Sequence, residues 1–339
     1  MTRPWWLLAL ALALACGERD PYGVDYDGER LTVIDMHLHP GEWDAIPRET
    51  RAFLAARFPF PLNLRPDKVA ADVLSAGGIV EELDAAGIQA GVLLAVYAPR
   101  TVGVASNELM ERGVDTYPLR LMGLASLRVD NWREDGDDEL ARLGEALDHD
   151  GVVGVKLAHA HMHFRMDDPE FFGIYALAGA RGKPVYLHTG TSPFPGTSQE
   201  PPYTDPAYLE AAIAAYPHTI FILGHLGYDF IDHTHGTLET CLELARRYPN
   251  VYLEPSALGS ASADPSGENL RAAMRRIKEE GLVGRTIYGS DGPQSPGFVA
   301  EYLERTVAAM RDAEYSADEA RAVLSGNFVK VFGREVPLP

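Results

Sequence analysis

Two histidines separated by a single residue, His37 and His39, follow a short apolar run that starts at Leu31. On a β-strand, residues two positions apart face the same side and lie about 6.6 Å from each other. Both imidazoles can therefore reach one ion, and imidazole is a common ligand of Zn²⁺ and similar divalent metals. The pair is a weak signal by itself, because two histidines at the tip of a loop show the same spacing.

Ionisable residues also stand in or after four later apolar runs. Lys156 interrupts one run, and His188, His225 and Asp291 each come at the end of another. Any one of them is explained as well by a buried structural histidine or a helix-capping aspartate. Together they are harder to explain in that way, because each lies toward the same end of its run.

These residue types have a common chemistry. Histidine and carboxylate side chains form the ligand set of Zn²⁺ and related ions, and a catalytic site leaves one coordination position for water. We therefore predict a divalent metal held by four side chains, which are His37, His39, His188 and Asp291. Such a metal lowers the pKa of its water to about 7. Asp291 could accept the proton of that water, and His225 could orient it or stabilise charge on the substrate oxygen.

The elements that position these residues alternate along the chain. After the first run, strands are predicted at residues 89–96, 119–127, 151–158, 184–188, 219–225, 251–254 and 285–291. Helices are predicted at residues 78–86, 104–114, 134–147, 169–180, 206–216, 238–248, 268–280, 298–311 and 317–324. The strands are continuous apolar runs, as expected when both faces of a sheet are covered.

Eight strand–helix units in residues 31–291 predict the α/β class and a (β/α)₈ TIM barrel with extra C-terminal helices, a fold of typically about 250 residues. Active sites of such barrels lie at the carboxyl ends of the strands, which is where the ionisable residues fall. An open, doubly wound sheet is the alternative, but no Gly-x-Gly-x-x-Gly motif follows the first strand. The barrel domain is expected to span residues 31–335.

The connection after the first strand, residues 41–68, is rich in proline, arginine and aromatic residues. We predict a long irregular segment at the edge of the active site, since excursions of this kind are often functional. Its arginines could bring positive charge to a pocket or simply face solvent. Residues 191–204 and 259–267 are the other loops expected to select the substrate.

The composition is that of a globular enzyme, with 46% hydrophobic and 23% charged residues in a chain of 339. Its 30 basic and 49 acidic residues give a formal net charge of −19. This charge repels a phosphate backbone, so a small-molecule substrate is expected and a nucleic-acid partner is not. The sequence leaves a homodimer open. Two cysteines, Cys16 and Cys241, are too few for a disulfide framework, and Cys241 is predicted to be a core thiol in a helix.

Residues 1–16 have the features of a secretory signal peptide, with an early Arg3, an apolar run and small residues before Cys16. The apolar run is shorter than the about 20 residues of a membrane-spanning helix. The segment resembles a bacterial lipoprotein signal with Cys16 as the acylated residue, although Ala13 stands where such signals usually have Leu. We therefore predict export, a lipid anchor as the only membrane contact, and a linker over residues 17–30. Ordinary secretion to the periplasm or the medium is the alternative.

Five segments around the ionisable residues resemble the motifs of one family. They are Ile34-Asp35-Met36-His37-Leu38-His39, Gly154-Val155-Lys156-Leu157, Leu187-His188-Thr189-Gly190, Gly224-His225-Leu226-Gly227 and Gly289-Ser290-Asp291. The set is similar to the amidohydrolase superfamily, in particular to its amidohydrolase-related branch, often called amidohydrolase 2. The resemblance covers about residues 31–333, since residues 326–333 also look like the family's last helix.

The resemblance implies a metal-dependent barrel with His225 as its acid or base and an ion held by His37, His39, His188 and Asp291. In two-metal relatives, a lysine on the fourth strand is carboxylated and bridges both ions, whereas a single metal is commoner in this branch. We therefore expect one ion rather than two, with Zn²⁺ preferred and Mn²⁺ or Fe²⁺ open. Lys156 is then a partner of a nearby charge or of a substrate carboxylate, and a second-metal ligand only in the alternative.

Three functions fit this description. The first is a metal-dependent hydrolase of a C–N or C–O bond, such as an amide or a lactone. The second is a metal-dependent nonoxidative decarboxylase of a small carboxylic acid, because the branch contains both. Many of those decarboxylases have Glu where this chain has Asp35, although some have Asp, so Asp35 and export each favour the hydrolase only slightly. The third is a metal-binding lipoprotein without catalysis, against which the complete ligand set argues.

Overall fold

A computed structural model describes residues 22–334 of the chain. The predicted signal peptide, residues 1–16, and its Cys16 lie outside the described residues. Seven parallel strands form one sheet in which neighbouring strands follow the order of the chain. They are β1 Ile34–Leu38, β2 Ala90–Leu94, β3 Leu121–Ala125, β4 Val152–Leu157, β5 Val185–His188, β6 Phe221–Gly224 and β7 Val251–Glu254.

An eighth segment, residues 286–292, closes the sheet into a barrel. Thr286 pairs with Leu253 of β7, and Gly292 pairs with Leu38 of β1, each in a parallel bridge. The predicted (β/α)₈ barrel is confirmed. The eighth segment differs from the predicted strand because it forms one parallel bridge with each neighbour and isolated backbone hydrogen bonds, such as Met36 N to the Tyr288 carbonyl, rather than a continuous ladder.

The helices surround the sheet. They are α1 Arg48–Ala55, α2 Pro66–Val73, α3 Ala76–Ala86, α4 Asn107–Thr116, α5 Trp132–Leu147, α6 His159–Met162, α7 Phe172–Ala180, α8 Pro201–Thr204, α9 Glu210–Ala215, α10 Leu238–Arg247, α11 Glu268–Glu279, α12 Phe298–Asp312, α13 Ala317–Arg321 and α14 Asn327–Phe332. In α10, Leu238, Cys241 and Ala245 are buried at helical spacing, so one face covers the sheet. The prediction that Cys241 is a buried core thiol is confirmed. Within residues 22–334, no helix is both long and apolar enough to cross a membrane.

The apolar core has two layers separated by the sheet. Successive strand residues point to opposite faces, so one set packs under the helices and the other fills the barrel. The inner set contains residues of all seven strands together with Phe328 and Val331 of α14. Asn327 donates from Nδ2 to the carbonyls of Val283 and Thr286, near the start of the eighth segment. The last helix therefore closes the amino end of the barrel, opposite the ionisable residues.

The linker predicted for residues 17–30 is wrong in its second half. Val24–Tyr26 and Glu29–Leu31 form an antiparallel hairpin. The Tyr26 side chain is fully buried, and its hydroxyl donates to the Tyr315 carbonyl at 2.9 Å. The prediction failed because the glycine and polar residues of a short hairpin look like a tether in the sequence.

The connection after β1 is more regular than predicted for residues 41–68. It contains α1 and the start of α2. Pro47 immediately precedes α1, and Pro66 is the first residue of α2. Pro66 suits the first helical position because its φ matches the helix and its missing N–H has no helical partner there. Pro47 is the residue just before α1, where a backbone N–H is not needed by the helix either. Two of the prolines that suggested an irregular segment therefore mark the starts of helices.

The helix predicted over residues 104–114 begins later, at Asn107. The hydroxyl of Ser106 caps it by accepting a hydrogen bond from Leu109 N at 3.2 Å. The preceding residues form a second hairpin, Val96–Ala98 with Gly103–Ala105, beyond the end of β2.

Candidate metal centre

Three potential ligand atoms meet at the carboxyl end of the barrel. His37 Nε2 lies 3.0 Å from His39 Nε2 and 3.1 Å from Asp291 Oδ1. His39 Nε2 lies 2.9 Å from the same Asp291 oxygen. The histidines lie in or just after β1 and Asp291 lies in the eighth segment, so closure of the barrel brings the three residues together.

This set of atoms fits a divalent cation in chemistry and in spacing. Two imidazole nitrogens and a carboxylate oxygen are typical ligands of Zn²⁺ and related ions. A tetrahedral ion with ligands at about 2.0–2.2 Å holds those ligands roughly 3.3–3.6 Å apart. The three atoms therefore need to separate by only a few tenths of an ångström to accept such an ion.

The fourth predicted ligand, His188, lies in the same pocket but outside this group of three. Its ring centroid is 4.5 Å from that of His225. Its Nε2 is buried and has no hydrogen-bond partner within residues 22–334. A buried polar atom without a partner is costly, so this nitrogen is suited to a bound ligand. His188 thus stays a predicted metal ligand.

The two residues predicted to be catalytic have left-handed backbones. The φ angle is +61° at His225 and +68° at Asp291. Side chains with a Cβ rarely adopt this region, and each such residue costs on the order of 1–2 kcal/mol. Strain of this kind is concentrated at functional sites, so it supports a functional role for both residues.

The same two residues have shifted pKa values. Burial alone would raise the pKa of Asp291, but His37 and hydrogen bonds from His37 and His39 lower it well below its ordinary value. Burial lowers the pKa of His225 to about 4, although Asp291 acts in the opposite direction. At neutral pH, Asp291 is therefore a carboxylate and His225 is neutral.

Glu254, at the end of β7, lies on the side of His37 and His225 away from the ligand atoms and holds both rings in a hydrogen-bond network. Its side chain is fully buried, and the hydroxyls of Tyr186 and Ser256 donate to Oε2 at 3.1 and 2.8 Å. Its Oε1 lies 3.3 Å from His37 Nδ1, and Ser256 Oγ lies 2.9 Å from His225 Nδ1. Burial opposes ionisation, but His37 and His225 lower the pKa of Glu254. Glu254 is therefore a carboxylate and the acceptor at the centre of this network.

The network sets the tautomers of both histidines. The hydroxyls of Ser256 and Tyr186 give their protons to Glu254, so they can only accept from the histidine nitrogens. His37 and His225 therefore both hold a proton on Nδ1. Nε2 of His37, which faces Asp291, is then the nitrogen that gives up its proton when a metal binds, and Nε2 of His225 is left as a hydrogen-bond acceptor. A carboxylate that orients a metal-binding histidine in this way also makes it a stronger ligand.

Two glycines leave room for the network. A Cβ at Gly289 would collide with Oε1 of Glu254, and a Cβ at Gly224 would collide with the hydroxyl of Tyr186. The glycines of two sequence motifs are therefore required by close packing around Glu254.

We expect Glu254→Gln to weaken metal affinity by about 10- to 100-fold, because an amide no longer fixes the orientation of His37. Metal content after dialysis against a competing chelator measures the effect. The matched control is Glu139→Gln, which changes a buried glutamate of α5 that accepts from Arg128 N outside the site. Wild-type affinity in Glu254→Gln would contradict the orienting role.

Lys156 lies near the centre and lines the pocket. It is 2% exposed, and its Nζ lies 4.2 Å from the ring centroid of Tyr186, a distance typical of a cation–π contact. Within residues 22–334, no carboxylate lies at ion-pair distance from Nζ. Burial lowers the pKa of Lys156 to about 8, against the influence of Asp291 and Glu254. A role for Lys156 toward a substrate or a second ion stays a prediction.

Asp35 does not join the ligand atoms. Its Oδ1 accepts hydrogen bonds from the backbone nitrogens of His37 at 3.0 Å and Ser290 at 2.9 Å. Burial raises the pKa of Asp35 to about 6, although these hydrogen bonds favour the ionised form. The residue therefore ties β1 to the eighth segment.

The histidines that follow β4 differ in their surroundings. His161 lines the pocket, and its ring centroid lies 5.0 Å from that of His188. His159 is fully buried, with Nε2 at 3.2 Å from the hydroxyl of Tyr175 and its ring against Phe164. His161 thus belongs to the site, and His159 belongs to the core.

His159 gives a testable pH dependence of stability. Burial lowers its pKa to about 3. The unfolded chain, with a pKa of about 6.5, binds the proton first, so stability is lost as the pH falls from about 6.5 toward 3. We expect His159→Gln, which keeps a partner for Tyr175, to reduce the loss of unfolding free energy between pH 7.5 and 5 by about 2 kcal/mol. Urea unfolding at both pH values measures this, and equal losses in variant and wild type would contradict it.

A pocket of about 200 Å³ opens beside the three ligand atoms. Apolar side chains of the connection after β1 and of the second hairpin form much of its wall, including Trp43, Ile46, Phe53, Leu54, Phe58, Val102 and Val104. The two predicted substrate loops also contribute, with Phe194 from one and Ser260 from the other. Of the arginines in residues 41–68, Arg57 lines the pocket.

Sequence reasoning missed four residues of the site, which are Tyr186, Glu254, Ser256 and Gln294. Glu254 had the same signal as the residues that were predicted, an ionisable side chain at the end of an apolar run. Tyr186 precedes His188 by two positions and therefore faces the same side of the strand. Gln294, whose Nε2 donates to Asp291 Oδ2 at 2.6 Å, has no signal in the sequence.

The amidohydrolase family model matches residues 34–334, which is nearly the whole barrel. The chain therefore belongs to the amidohydrolase family, in the branch called amidohydrolase 2, and it is an enzyme of this metal-dependent family. The resemblance drawn from the motifs is confirmed. No curated protein sequence matches the chain significantly.

Solved structures share the fold. A probable 2-pyrone-4,6-dicarboxylic acid hydrolase from Acinetobacter baumannii, with citric acid bound, has a TM-score of 0.59 and 21% identity over 90% of this chain and 100% of its own. 5-Carboxyvanillate decarboxylase from Sphingomonas paucimobilis has a TM-score of 0.60 and 16% identity, and the match covers 90% of this chain and 100% of the decarboxylase. A dihydroxybenzoic acid decarboxylase from a Polaromonas species, with manganese and the inhibitor 2-nitroresorcinol bound, has a TM-score of 0.61 and 17% identity. The match covers 90% of this chain and 98% of the decarboxylase. At these identities the likeness is one of fold.

Proposed function

We propose that this protein is a metal-dependent hydrolase of a C–N or C–O bond, such as an amide or a lactone. The main support is the convergence of His37, His39 and Asp291 beside a pocket that His188 and His225 also line. Membership of the amidohydrolase family supports metal-dependent chemistry at this place. The structural neighbours include both a hydrolase and decarboxylases, so the choice between them depends on the residues of this chain.

Each group of the site has a separate task in this proposal. One divalent cation, preferably Zn²⁺ with Mn²⁺ or Fe²⁺ as alternatives, would be held by His37, His39, His188 and Asp291. When bound, the cation supplies a Lewis acid that activates water and polarises a substrate carbonyl. Asp291 Oδ2, held by Gln294 at 2.6 Å, can take a proton from the attacking water. His225 Nε2 is an acceptor that can orient this water. It can then receive the proton that Asp291 has taken from the water and pass it to the leaving group.

Nonoxidative decarboxylation is the second candidate, in which His225 would protonate the carbanion. Asp35 favours hydrolysis over this reaction only slightly, because some decarboxylases of the branch also have Asp at this position. Many decarboxylases of the branch have Glu at this position, whereas the shorter Asp35 bonds two backbone N–H groups. Asp35 neither lines the pocket nor joins the cluster of ligand atoms.

The test is a turnover screen with protein loaded with zinc or manganese. Amides, lactones and hydroxybenzoic acids are supplied in water enriched in oxygen-18. Hydrolysis places the heavy oxygen in the carboxylate product, whereas decarboxylation releases CO₂ from the substrate. We expect labelled product, its loss on chelation and its return with added metal. Release of CO₂ would support the second candidate, and no turnover on either panel would contradict both.

We also propose that the protein is exported and held at a membrane by a lipid on Cys16. The support is the signal-like sequence of residues 1–16. We expect Cys16→Ser to move the protein from the membrane fraction to the soluble fraction of exporting cells. Wild-type protein that is already soluble after export would contradict the anchor.

A further inference from the structure

Aromatic rings line the pocket on both sides of the candidate metal centre. The ring centroid of His161 lies 5.0 Å from that of His188 and 6.0 Å from that of Phe194. Phe194 in turn lies 5.0 Å from Phe53 of α1. A row of rings therefore leads from the centre to α1, the helix over the pocket. On another side, the Phe230 ring centroid lies 5.5 Å from that of His225.

Few charged groups face this row of rings. Apart from the histidines, Asp291 and Lys156, the ionisable side chains that line the pocket are those of Glu42 and Arg57. Arg57 is exposed, with its guanidinium 3.4 Å from the ring centroid of Phe53. Glu42 is exposed as well and would repel an anion. Lys156, near the metal centre, is the one buried lysine or arginine that lines the pocket among the described residues. The outer part of the row, at Phe53 and Phe194, therefore offers no buried cation to a second anionic group of a ligand.

We propose that the substrate has an uncharged aryl or alkyl group that packs among Phe53, Phe194 and Phe230, while its reacting carbonyl lies at the metal centre. This inference deepens the proposed function, on which it rests for the position of the carbonyl. The pocket volume of about 200 Å³ limits the size of the group. Because an apolar cavity of about 150 Å³ holds benzene, a phenyl ring or a short alkyl chain fits. A dicarboxylic acid would place a second charge against apolar walls, which is unfavourable.

Calorimetric binding of carboxylic acids to zinc-loaded protein tests the inference without turnover. The probes are the straight-chain acids from propanoate to hexanoate, each compared with the dicarboxylate of equal length. We expect Kd to fall about fourfold for each added methylene. Each dicarboxylate should bind at least about tenfold more weakly than the matching monocarboxylate. A flat series, or tighter binding of the dicarboxylates, would overturn the inference.

Two substitutions locate the binding surface. Phe53→Ala and Phe194→Ala should each weaken hexanoate binding by about tenfold, because a ring is removed from the apolar wall. Phe60→Ala is the matched control, since Phe60 belongs to the same connection as Phe53 but is 78% exposed and does not line the pocket. No effect in either pocket variant, or an equal effect in the control, would contradict the proposed surface. A dependence on chain length without turnover of any amide or lactone would support this inference and contradict the proposed function.

Discussion

Asp291→Asn is expected to lower kcat/KM by at least about 10³-fold and to leave the fold intact. Oδ1 of Asp291 contacts both His37 and His39, and Oδ2 accepts from Gln294. An amide at this position is neutral, so the site loses both an anionic ligand and the proposed proton acceptor. The substituted side chain has the same size, so closure of the barrel is preserved. Steady-state kinetics, metal analysis and circular dichroism measure the three effects.

The matched control for this change is Asp205→Asn. Asp205 is partly buried, and its Oδ1 accepts from Ala207 N at 2.9 Å, but it does not line the pocket. We expect this variant to keep wild-type kinetics. Turnover by Asp291→Asn within about tenfold of the wild type would remove Asp291 from the role proposed for it.

His225→Asn is expected to lower kcat by about 10²- to 10⁴-fold with an unchanged metal content. The amide nitrogen of asparagine can replace Nδ1 as the donor to Ser256, whose Oγ lies 2.9 Å away. No atom of asparagine replaces Nε2, so the group that orients water and transfers protons is lost. Kinetics and metal analysis of the same preparation separate this loss from a loss of metal.

Two outcomes would contradict the role of His225. A kcat equal to that of the wild type would exclude acid–base catalysis by this residue. A loss of metal as large as that in Asp291→Asn would make His225 a ligand instead. His235→Asn is the control, because His235 also follows β6 but does not line the pocket.

The position of the site could be predicted because parallel strands of a barrel place their carboxyl ends at one rim. An ionisable residue after an apolar run, such as His188 or Asp291, is then assigned to that rim from the sequence alone. Glu254 also ends an apolar run, so the same rule assigns it to that rim, although it was not among the predicted site residues. The sequence motifs therefore identify the residues that face the pocket more readily than they identify Glu254, which orients two of those residues through hydrogen bonds.

Features that depend on contacts between distant residues could not be predicted in this way. Tyr26 looked like part of a tether, and its burial depends on Tyr315 near the other end of the chain. Gln294 has the sequence surroundings of an ordinary loop residue, and its place in the site depends on its contact with Asp291. Helices α1 and α2 could not be predicted for a different reason. Proline is common both in irregular segments and at the starts of helices, where Pro47 and Pro66 lie.

The proposed ligands connect the two ends of the folded chain. His39 and Asp291 are 252 positions apart, and they lie on either side of the seam where β1 meets the eighth segment. A cation between them would fasten the first strand to the last, so metal uptake and barrel closure would form a coupled equilibrium. A ligand present at about 100 times its Kd stabilises the folded state by about 2.7 kcal/mol. Metal starvation would therefore leave a chain that opens more often along this seam and is degraded faster by proteases.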